Sequence, residues 1–145
     1  MNEFRPEFIN PARLLPHEET VDDNVVELRK SIAQEGVWTT LLYVDRDSLV
    51  VMDGHHRRAA ALTMALTVVP CLMLSYDMVS VISMREGHSA FPEDIIARAR
   101  QGRLFPPKTT KHRLFRPAPV VSLPLSSLRS RDLASLDTLP MHVRI

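Results

Sequence analysis

The residues best suited to chemistry form one short polar segment, residues 53–57, with the sequence Asp-Gly-His-His-Arg. It lies between an apolar run, 49–52, and an alanine-rich pattern that begins at Arg58, so we predict a strand, a tight turn and a helix start. A helix N-terminus offers unpaired N–H groups and partial positive charge, and the glycine lets a ligand approach the main chain. The segment therefore predicts a phosphate-binding turn. Its expected phosphate ligands are Gly54, His55, His56 and Arg57.

Asp53, the first residue of this segment, could coordinate Mg²⁺ or orient the turn. A polar turn with solvent-exposed histidines is the plainer interpretation of the segment. An Asp-Gly pair alone is a common turn dipeptide, but a turn does not require two histidines and an arginine next to the glycine. The pattern therefore favours a functional interpretation.

A basic segment at 106–112, Pro-Pro-Lys-Thr-Thr-Lys-His, is the second candidate. Its cations and hydroxyls suit the binding of a carboxylate or a transferred phosphate, and we interpret it as a proline-stiffened loop. Arg85, at the end of a predicted strand, could add a bidentate contact to a carboxylate. The alternative is a basic surface loop without a ligand. The residues predicted to contact a substrate here are Lys108, Thr109, Thr110 and His112.

The charge of the chain is nearly balanced, with 18 Lys and Arg against 17 Asp and Glu. This balance lacks the basic excess expected of a dedicated DNA-binding protein. The charges are unevenly placed, because acids dominate residues 1–27 and bases dominate residues 103–116. Any anion site is therefore expected to be local, with an acidic edge and a basic edge around Gly54.

Hydrophobic periodicity predicts the elements that position these segments. A helix is expected from Asp22 or Asp23 to Glu35 with Gly36 as its stop, and another from Pro92 to Gly102. A helix after the polar turn continues to about Leu66. Runs of β-favouring residues predict strands at 8–15, 40–44, 49–52, 68–74, 78–84 and 120–123. The second and third of these strands are expected to form a hairpin. This alternation predicts an α+β (mixed α/β) fold, a small single domain with a mixed sheet and flanking helices.

The single cysteine, Cys71, excludes an intramolecular disulfide and favours a reducing compartment, so we expect a cytoplasmic protein. No run of about 20 apolar residues predicts a membrane span, and residues 1–7 lack the pattern of a secretory signal. Cys71 and Trp38 are interpreted as packing residues, and His17 and His88 as structural or exposed.

Three segments in order resemble a known superfamily. The strand, Asp-Gly-His-His-Arg turn and helix resemble the signature of the fold shared by the N-terminal domain of ParB proteins and by sulfiredoxin. A Pro-His-Glu-Glu motif at 16–19 lies upstream, and segment 106–112 resembles one found in the free L-serine kinases of this superfamily. The resemblance implies the ParB/sulfiredoxin-like fold, with a kinase domain at 1–125 and a C-terminal extension of unknown structure at 126–145.

The resemblance to the serine kinases also implies residue roles. Glu18 would be the catalytic base that accepts the proton of the attacking hydroxyl, and Asp53 would act beside it. Lys108, Thr110 and His112 would belong to the (phospho)serine site. The implied reaction is phosphoryl transfer from ADP or ATP, with Mg²⁺, to free L-serine or a closely related hydroxy amino acid. Met84 departs from the aromatic residue that the family often has before the arginine.

Two other chemistries occur in this superfamily. Sulfiredoxin chemistry requires a cysteine directly after the glycine of the turn, where this chain has His55, and it is excluded. A ParB-like nucleotide- and DNA-binding regulator without kinase activity is the alternative, although the prolines from 106 to 124 disfavour a helical DNA-binding module. The sequence leaves open ADP or ATP as donor, and the oligomeric state, including a homodimer.

Overall fold

A four-stranded mixed sheet organises residues 5–129, the part of the chain described by the computed structural model. The elements in chain order are the strands β1 (Glu7–Ile9), β2 (Val37–Trp38), β3 (Leu42–Asp45), β4 (Val51–Asp53), β5 (Val69–Leu74), β6 (Val79–Ser83), β7 (Thr110–Leu114) and β8 (Leu123–Pro124), and the helices α1 (Asp22–Glu35), α2 (His55–Thr63), α3 (Pro92–Gln101) and α4 (Leu125–Leu128). The spatial order of the main sheet is β1-β5-β3-β4. Strand β5 runs parallel to β3 and antiparallel to β1, and β3 is antiparallel to β4. The pairs β2-β8 and β6-β7 form two small antiparallel sheets.

The structure confirms the predicted α+β fold with its mixed sheet. Helix α1 has the predicted bounds, and Gly36 ends it with a φ of 74°, a left-handed conformation that glycine adopts without steric cost. The predicted hairpin is β3 and β4. The Ser48 hydroxyl and backbone N–H donate to the Asp45 carboxylate at 2.5 and 3.0 Å, which closes the connection and directs β4 towards the polar turn.

Two predictions about local structure require correction. Helix α2 begins at His55, so the two histidines and the arginine form its first turn instead of preceding it. Part of the basic segment, expected to be a loop, is strand β7, paired with β6. The pairing with β6 satisfies the backbone hydrogen-bonding groups of β7. Because this pairing is a contact between distant parts of the chain, the composition of the basic segment does not reveal it.

The main core lies between the sheet and helices α1 and α2, which pack against each other. Trp38 is fully buried in it, as expected of a packing residue. Cys71 is also fully buried, and burial raises the pKa of its thiol to about 12, so it is no nucleophile at neutral pH. The expected domain boundary near residue 125 falls beside α4, whose Leu125 and Leu128 pack in the same core.

Residues 130–145, most of the expected extension, lie outside the described residues. Within residues 5–129, no helix is both long enough and apolar enough to cross a membrane.

Candidate active site

Gly54 forms the turn between β4 and α2. Its φ is 111°, and a Cβ added there would lie 2.9 Å from Cγ of Leu42, closer than real Cβ contacts. No side chain caps the helix at this position. The first backbone N–H groups of α2 therefore remain available to a ligand, as expected of a phosphate-binding turn.

The turn and the basic segment line the same cavity, of about 360 Å³. Its lining residues are Glu18, Met52, Asp53, Gly54, His55, His56, Met84, Lys108, Thr110 and Lys111. The cavity thus combines a helix N-terminus and two lysines with the carboxylates of Glu18 and Asp53. It can hold a polyanion on the helix side and a small zwitterion beside the lysines.

Glu18 joins the N-terminal motif to the basic segment. Its Oε1 accepts the Lys108 backbone N–H at 3.0 Å, and its Oε2 accepts the N–H and the hydroxyl of Thr110 at 2.8 and 2.7 Å. Burial by itself would raise the pKa of Glu18, but the adjacent His17 side chain and the hydrogen bonds from Thr110 outweigh it and lower this pKa to about 2. Glu18 is therefore an ionised carboxylate at neutral pH.

His17 lies at the centre of the site with no exposed surface. Its Nδ1 is 2.7 Å from the Val51 carbonyl oxygen, and its Nε2 is 2.8 Å from the Thr110 hydroxyl. Its backbone N–H donates to Nε2 of His55 at 3.1 Å. The sequence interpretation of His17 as structural or exposed missed this central position, and the only signal available was its place directly before Glu18.

The two histidines of the turn make different contacts. His55 is buried, and burial together with the charge of His17 lowers its pKa to about 3, so its ring is neutral. His56 is half-buried and its Nε2 accepts the backbone N–H of Val21 at 3.1 Å, which joins the first turn of α2 to the residue before α1. In this structure the Nε2 atom of each ring is therefore occupied by the protein's own backbone. Arg57, also predicted to bind phosphate, is not among the residues that line the cavity.

The predicted substrate residues of the basic segment divide into two groups. Lys108 and Thr110 line the cavity, together with Lys111, which was not among the predicted substrate residues. Thr109 is fully buried, and its hydroxyl donates to the Pro106 carbonyl at 2.7 Å. Arg85 donates to the Pro107 carbonyl from Nε and Nη2, at 3.0 and 2.8 Å. Thr109 and the Arg85 side chain therefore stabilise the segment, and neither lines the cavity.

His112 is buried behind the cavity wall. Its Nε2 lies 3.1 Å from the Tyr76 hydroxyl, and its Nδ1 has no hydrogen-bond partner. Burial and the charge of His17 lower the pKa of His112 to about 3, and burial raises the pKa of the Tyr76 hydroxyl well above its ordinary value. Both groups are therefore neutral at pH 7, and the tautomer of His112 decides which of them donates.

Asp53 offers an exposed carboxylate at the end of β4, on the cavity wall. Among residues 5–129, no group of three or more His, Cys, Asp or Glu side chains is arranged to hold a metal ion. A Mg²⁺ ion that comes with a nucleotide needs only one or two protein carboxylates, because phosphates and water supply its other ligands. The site fits that mode of metal binding.

Comparison of sequences connects the chain to two kinds of protein, although no protein-family model matches it. Over 81 residues it is 33% identical to a ParB-like protein of Sulfolobus acidocaldarius. The matched segment covers 53% of this chain and 38% of that protein. Over 75 residues it is 36% identical to an ATP-dependent L-serine kinase of Staphylothermus marinus, covering 49% of this chain and 30% of that protein. The matched segments thus span less than two fifths of these curated relatives.

Comparison of structures identifies the fold. Free serine kinase in complex with AMP superposes with a TM-score of 0.76 at 14% identity, covering 88% of this chain and 95% of the kinase. SbnI of Staphylococcus aureus, truncated at its C-terminus, gives a TM-score of 0.82 at 10% identity and 92% coverage of both chains. About half of the chain is thus similar in sequence to a ParB-like protein and to an ATP-dependent L-serine kinase, and its fold is that of free serine kinase, which confirms the resemblance found in the sequence.

Proposed function

We propose that the protein is a small-molecule kinase that transfers a phosphoryl group from ADP or ATP to the hydroxyl of free L-serine, or of a closely related hydroxy amino acid. The product with serine is O-phospho-L-serine, an intermediate suited to amino-acid biosynthesis. One observation carries the proposal: the N-terminus of α2 and the lysines of the basic segment line one cavity, with the carboxylates of Glu18 and Asp53 on its wall. The relationship to L-serine kinases supports this choice of acceptor.

The donor nucleotide would place its phosphates at the turn between β4 and α2. The free N–H groups of the first turn and the helix dipole favour negative charge there. His56 lines the same wall, and within residues 5–129 its ring is bonded through Nε2 and not through Nδ1, which is left to contact a phosphate. Asp53 would hold Mg²⁺, which would reduce the negative charge of the phosphates when bound.

The acceptor would lie between Glu18 and the two lysines. Its carboxylate would pair with Lys108 or Lys111, which would bring its hydroxyl to the free side of Glu18. An ionised carboxylate has about four acceptor positions, and three hydrogen bonds occupy Glu18, only one of them on Oε1. Oε1 can therefore accept the hydroxyl proton while the new O–P bond forms and the bond to the leaving nucleotide breaks.

A carboxylate with a low pKa is a weak base, which suits this reaction. Phosphoryl transfer passes through a loose transition state in most analyses, so the hydroxyl need not lose its proton early. Orientation of the two substrates is then the main contribution of the protein.

The experiment is an incubation of purified protein with Mg²⁺, ADP or ATP, and single amino acids, followed by mass spectrometry of the products. We expect a phosphorylated product with L-serine and none with L-alanine, which lacks only the hydroxyl. L-threonine and L-homoserine define the acceptor range, and ADP and ATP are compared as donors. Absence of a phosphorylated amino acid with every acceptor and both donors would refute the proposal.

A nucleotide- and DNA-binding regulator without kinase activity is the second candidate, favoured by the similarity to a ParB-like protein. Lys111 and Arg113 are exposed on alternate positions of β7, where they could contact a phosphate backbone. A gel-shift titration of duplex DNA over a range of salt concentrations tests this candidate. Backbone binding weakens steeply as salt rises, so the absence of a shift at low salt would exclude it.

A further inference from the structure

Three side chains form a continuous polar chain inside the candidate active site. Nε2 of His17 lies 2.8 Å from Oγ1 of Thr110, and that oxygen lies 2.7 Å from Oε2 of Glu18. Both distances are those of hydrogen bonds, so each contact requires a hydrogen between its two atoms. The Thr110 hydroxyl has only one hydrogen to contribute. The second must come from His17 or from Glu18.

The other contacts of the chain decide which residue supplies it. Nδ1 of His17 faces the Val51 carbonyl oxygen at 2.7 Å, and a carbonyl oxygen can only accept, so Nδ1 carries a hydrogen. Oε2 of Glu18 already accepts the Thr110 backbone N–H, as expected of a carboxylate oxygen. Its other oxygen, Oε1, accepts the Lys108 backbone N–H, so both oxygens act as acceptors, as in an ionised carboxylate. The second hydrogen therefore belongs on Nε2 of His17, which then carries hydrogen on both nitrogens.

We propose that His17 is a positioning residue of the phosphoryl-transfer site: as an imidazolium bonded to Val51 and Thr110, it keeps Glu18 ionised and holds the basic segment across the turn. His17 does not line the cavity and acts through Thr110 and Glu18. The inference depends on the proposed function only for the identity of the reaction, phosphoryl transfer, that His17 would support. The protonation state itself follows from the hydrogen-bond geometry.

The charged surroundings of His17 are consistent with a single positive charge in the cluster. Nε2 of His17 lies 3.5 Å from Oε2 of Glu18, the only carboxylate of residues 5–129 within ion-pair distance of it. The rings of His55 and His112 face His17, with centroids 4.5 and 5.6 Å away, and burial and the charge of His17 keep both neutral. More distant charges around the cluster are Asp53, Arg58 and Lys108.

Nitrogen NMR tests the protonation state directly, without nucleotide or amino acid. Long-range ¹H–¹⁵N correlation spectra of labelled protein distinguish protonated from unprotonated imidazole nitrogens, and a His17→Asn variant assigns the signals. At pH 7 we expect hydrogen on both nitrogens of His17 and on one nitrogen of His112. In Glu18→Gln, which removes the paired charge, we expect His17 to become neutral. A neutral His17 in the unsubstituted protein at pH 7 would overturn the inference.

The pH dependence of the reaction separates positioning from a merely structural role. His17→Asn keeps a donor near the Val51 carbonyl, whereas His17→Gln keeps one near Thr110, and both lose the charge. We expect the acidic limb of the kcat/KM profile, set by ionisation of Glu18, to move up by about one pH unit in both variants. We also expect kcat to fall by about tenfold to a hundredfold. Tyr76→Phe, which removes the hydroxyl that contacts His112, should leave the limb in place.

The outcomes distinguish this inference from the proposed function. A doubly protonated His17 without kinase activity would refute the reaction and leave the positioning network intact. Kinase activity with an unmoved acidic limb in the His17 variants would overturn the inference and leave the reaction standing. If neither variant folds, the spectrum of the unsubstituted protein still decides.

Discussion

Glu18 and Thr110 lie 92 positions apart in the chain, yet two hydrogen bonds join them, from the backbone N–H and the hydroxyl of Thr110 to one carboxylate oxygen. This contact brings the Pro-His-Glu-Glu motif and the basic segment to the same cavity as the turn at Gly54. Glu18 thus has two tasks in our account: it holds the basic segment in place, and its remaining acceptor position on Oε1 can bind a substrate hydroxyl.

Replacement of Gly54 by alanine should destabilise the fold and weaken nucleotide binding. The new Cβ would lie 2.9 Å from Cγ of Leu42, and the φ of 111° is unfavourable for any residue with a Cβ. We expect a loss of about 1–3 kcal/mol in the free energy of unfolding. Gly87→Ala is the matched control, because its φ is also positive but nothing lies within 4 Å of the added Cβ. Urea unfolding and calorimetry with ADP measure the effects, and equal losses in both variants would contradict the role given to the Gly54 contact.

Ionised Glu18 should contribute to stability above its unfolded-state pKa. Its folded-state pKa of about 2 lies below the ordinary value of 4.5, so the folded state binds fewer protons than the unfolded state between these values. The contribution is therefore complete above about pH 5 and is lost as the pH falls towards 2, with a total of roughly 3 kcal/mol. Urea unfolding of the unsubstituted protein and of Glu18→Gln should give a difference that shrinks as the pH falls through this range. A difference independent of pH would be inconsistent with the lowered pKa.

The buried neutral histidines should make the protein less stable in mild acid. Burial and the charge of His17 lower the pKa values of His55 and His112 from 6.5 to about 3, so only the unfolded state binds these protons between those values. The free energy of unfolding should therefore fall as the pH drops below about 6.5, by up to roughly 1.4 kcal/mol per pH unit for each histidine. His112→Gln should remove about half of that slope, whatever its effect on absolute stability. His88→Gln, outside the cluster, should leave the slope unchanged, and a slope insensitive to His112 would contradict this account.

The Lys108 side chain should matter for the acceptor more than for the donor. Lys108→Gln keeps the backbone N–H that donates to Glu18 and removes the charge at the cavity. We expect the KM for L-serine to rise by roughly tenfold or more, the typical effect of a lost charge-assisted hydrogen bond, with a smaller change in the nucleotide KM. Arg113→Gln is the control, because Arg113 is exposed on β7 and does not line the cavity. An unchanged KM for serine in Lys108→Gln would remove this lysine from the acceptor site.

Local patterns in the sequence were sufficient to predict the turn and the main helices. The turn at Gly54 follows from a short apolar run, a glycine and an alanine-rich segment, which are adjacent in the chain, and Gly36 and Gly102 end their helices as expected. The meeting of Glu18 with the basic segment could be expected only from the family resemblance, because it depends on contacts across 90 or more positions.

Three residues show why the rest of the site could not be predicted. Thr109 turns inward because the basic segment joins strand β7, and strand pairing with β6 is not visible in a proline- and lysine-rich stretch. A single histidine in a polar motif shows no periodicity from which its burial could be predicted. His17 is buried because it contacts β4 and β7, which are distant from it in the chain. The partner of His112, Tyr76, likewise lies 36 positions away.

The most direct test of the central claim is to follow the terminal phosphoryl group itself. The protein would be incubated with Mg²⁺, L-serine and either ADP labelled with ³²P at its β-phosphate or ATP labelled at its γ-phosphate, and the products separated by chromatography. The account predicts that the label moves to O-phospho-L-serine in equal amount to the AMP or ADP released, and that L-alanine gives no labelled amino acid. Label that stays on the nucleotide, or appears only as inorganic phosphate, would contradict the account.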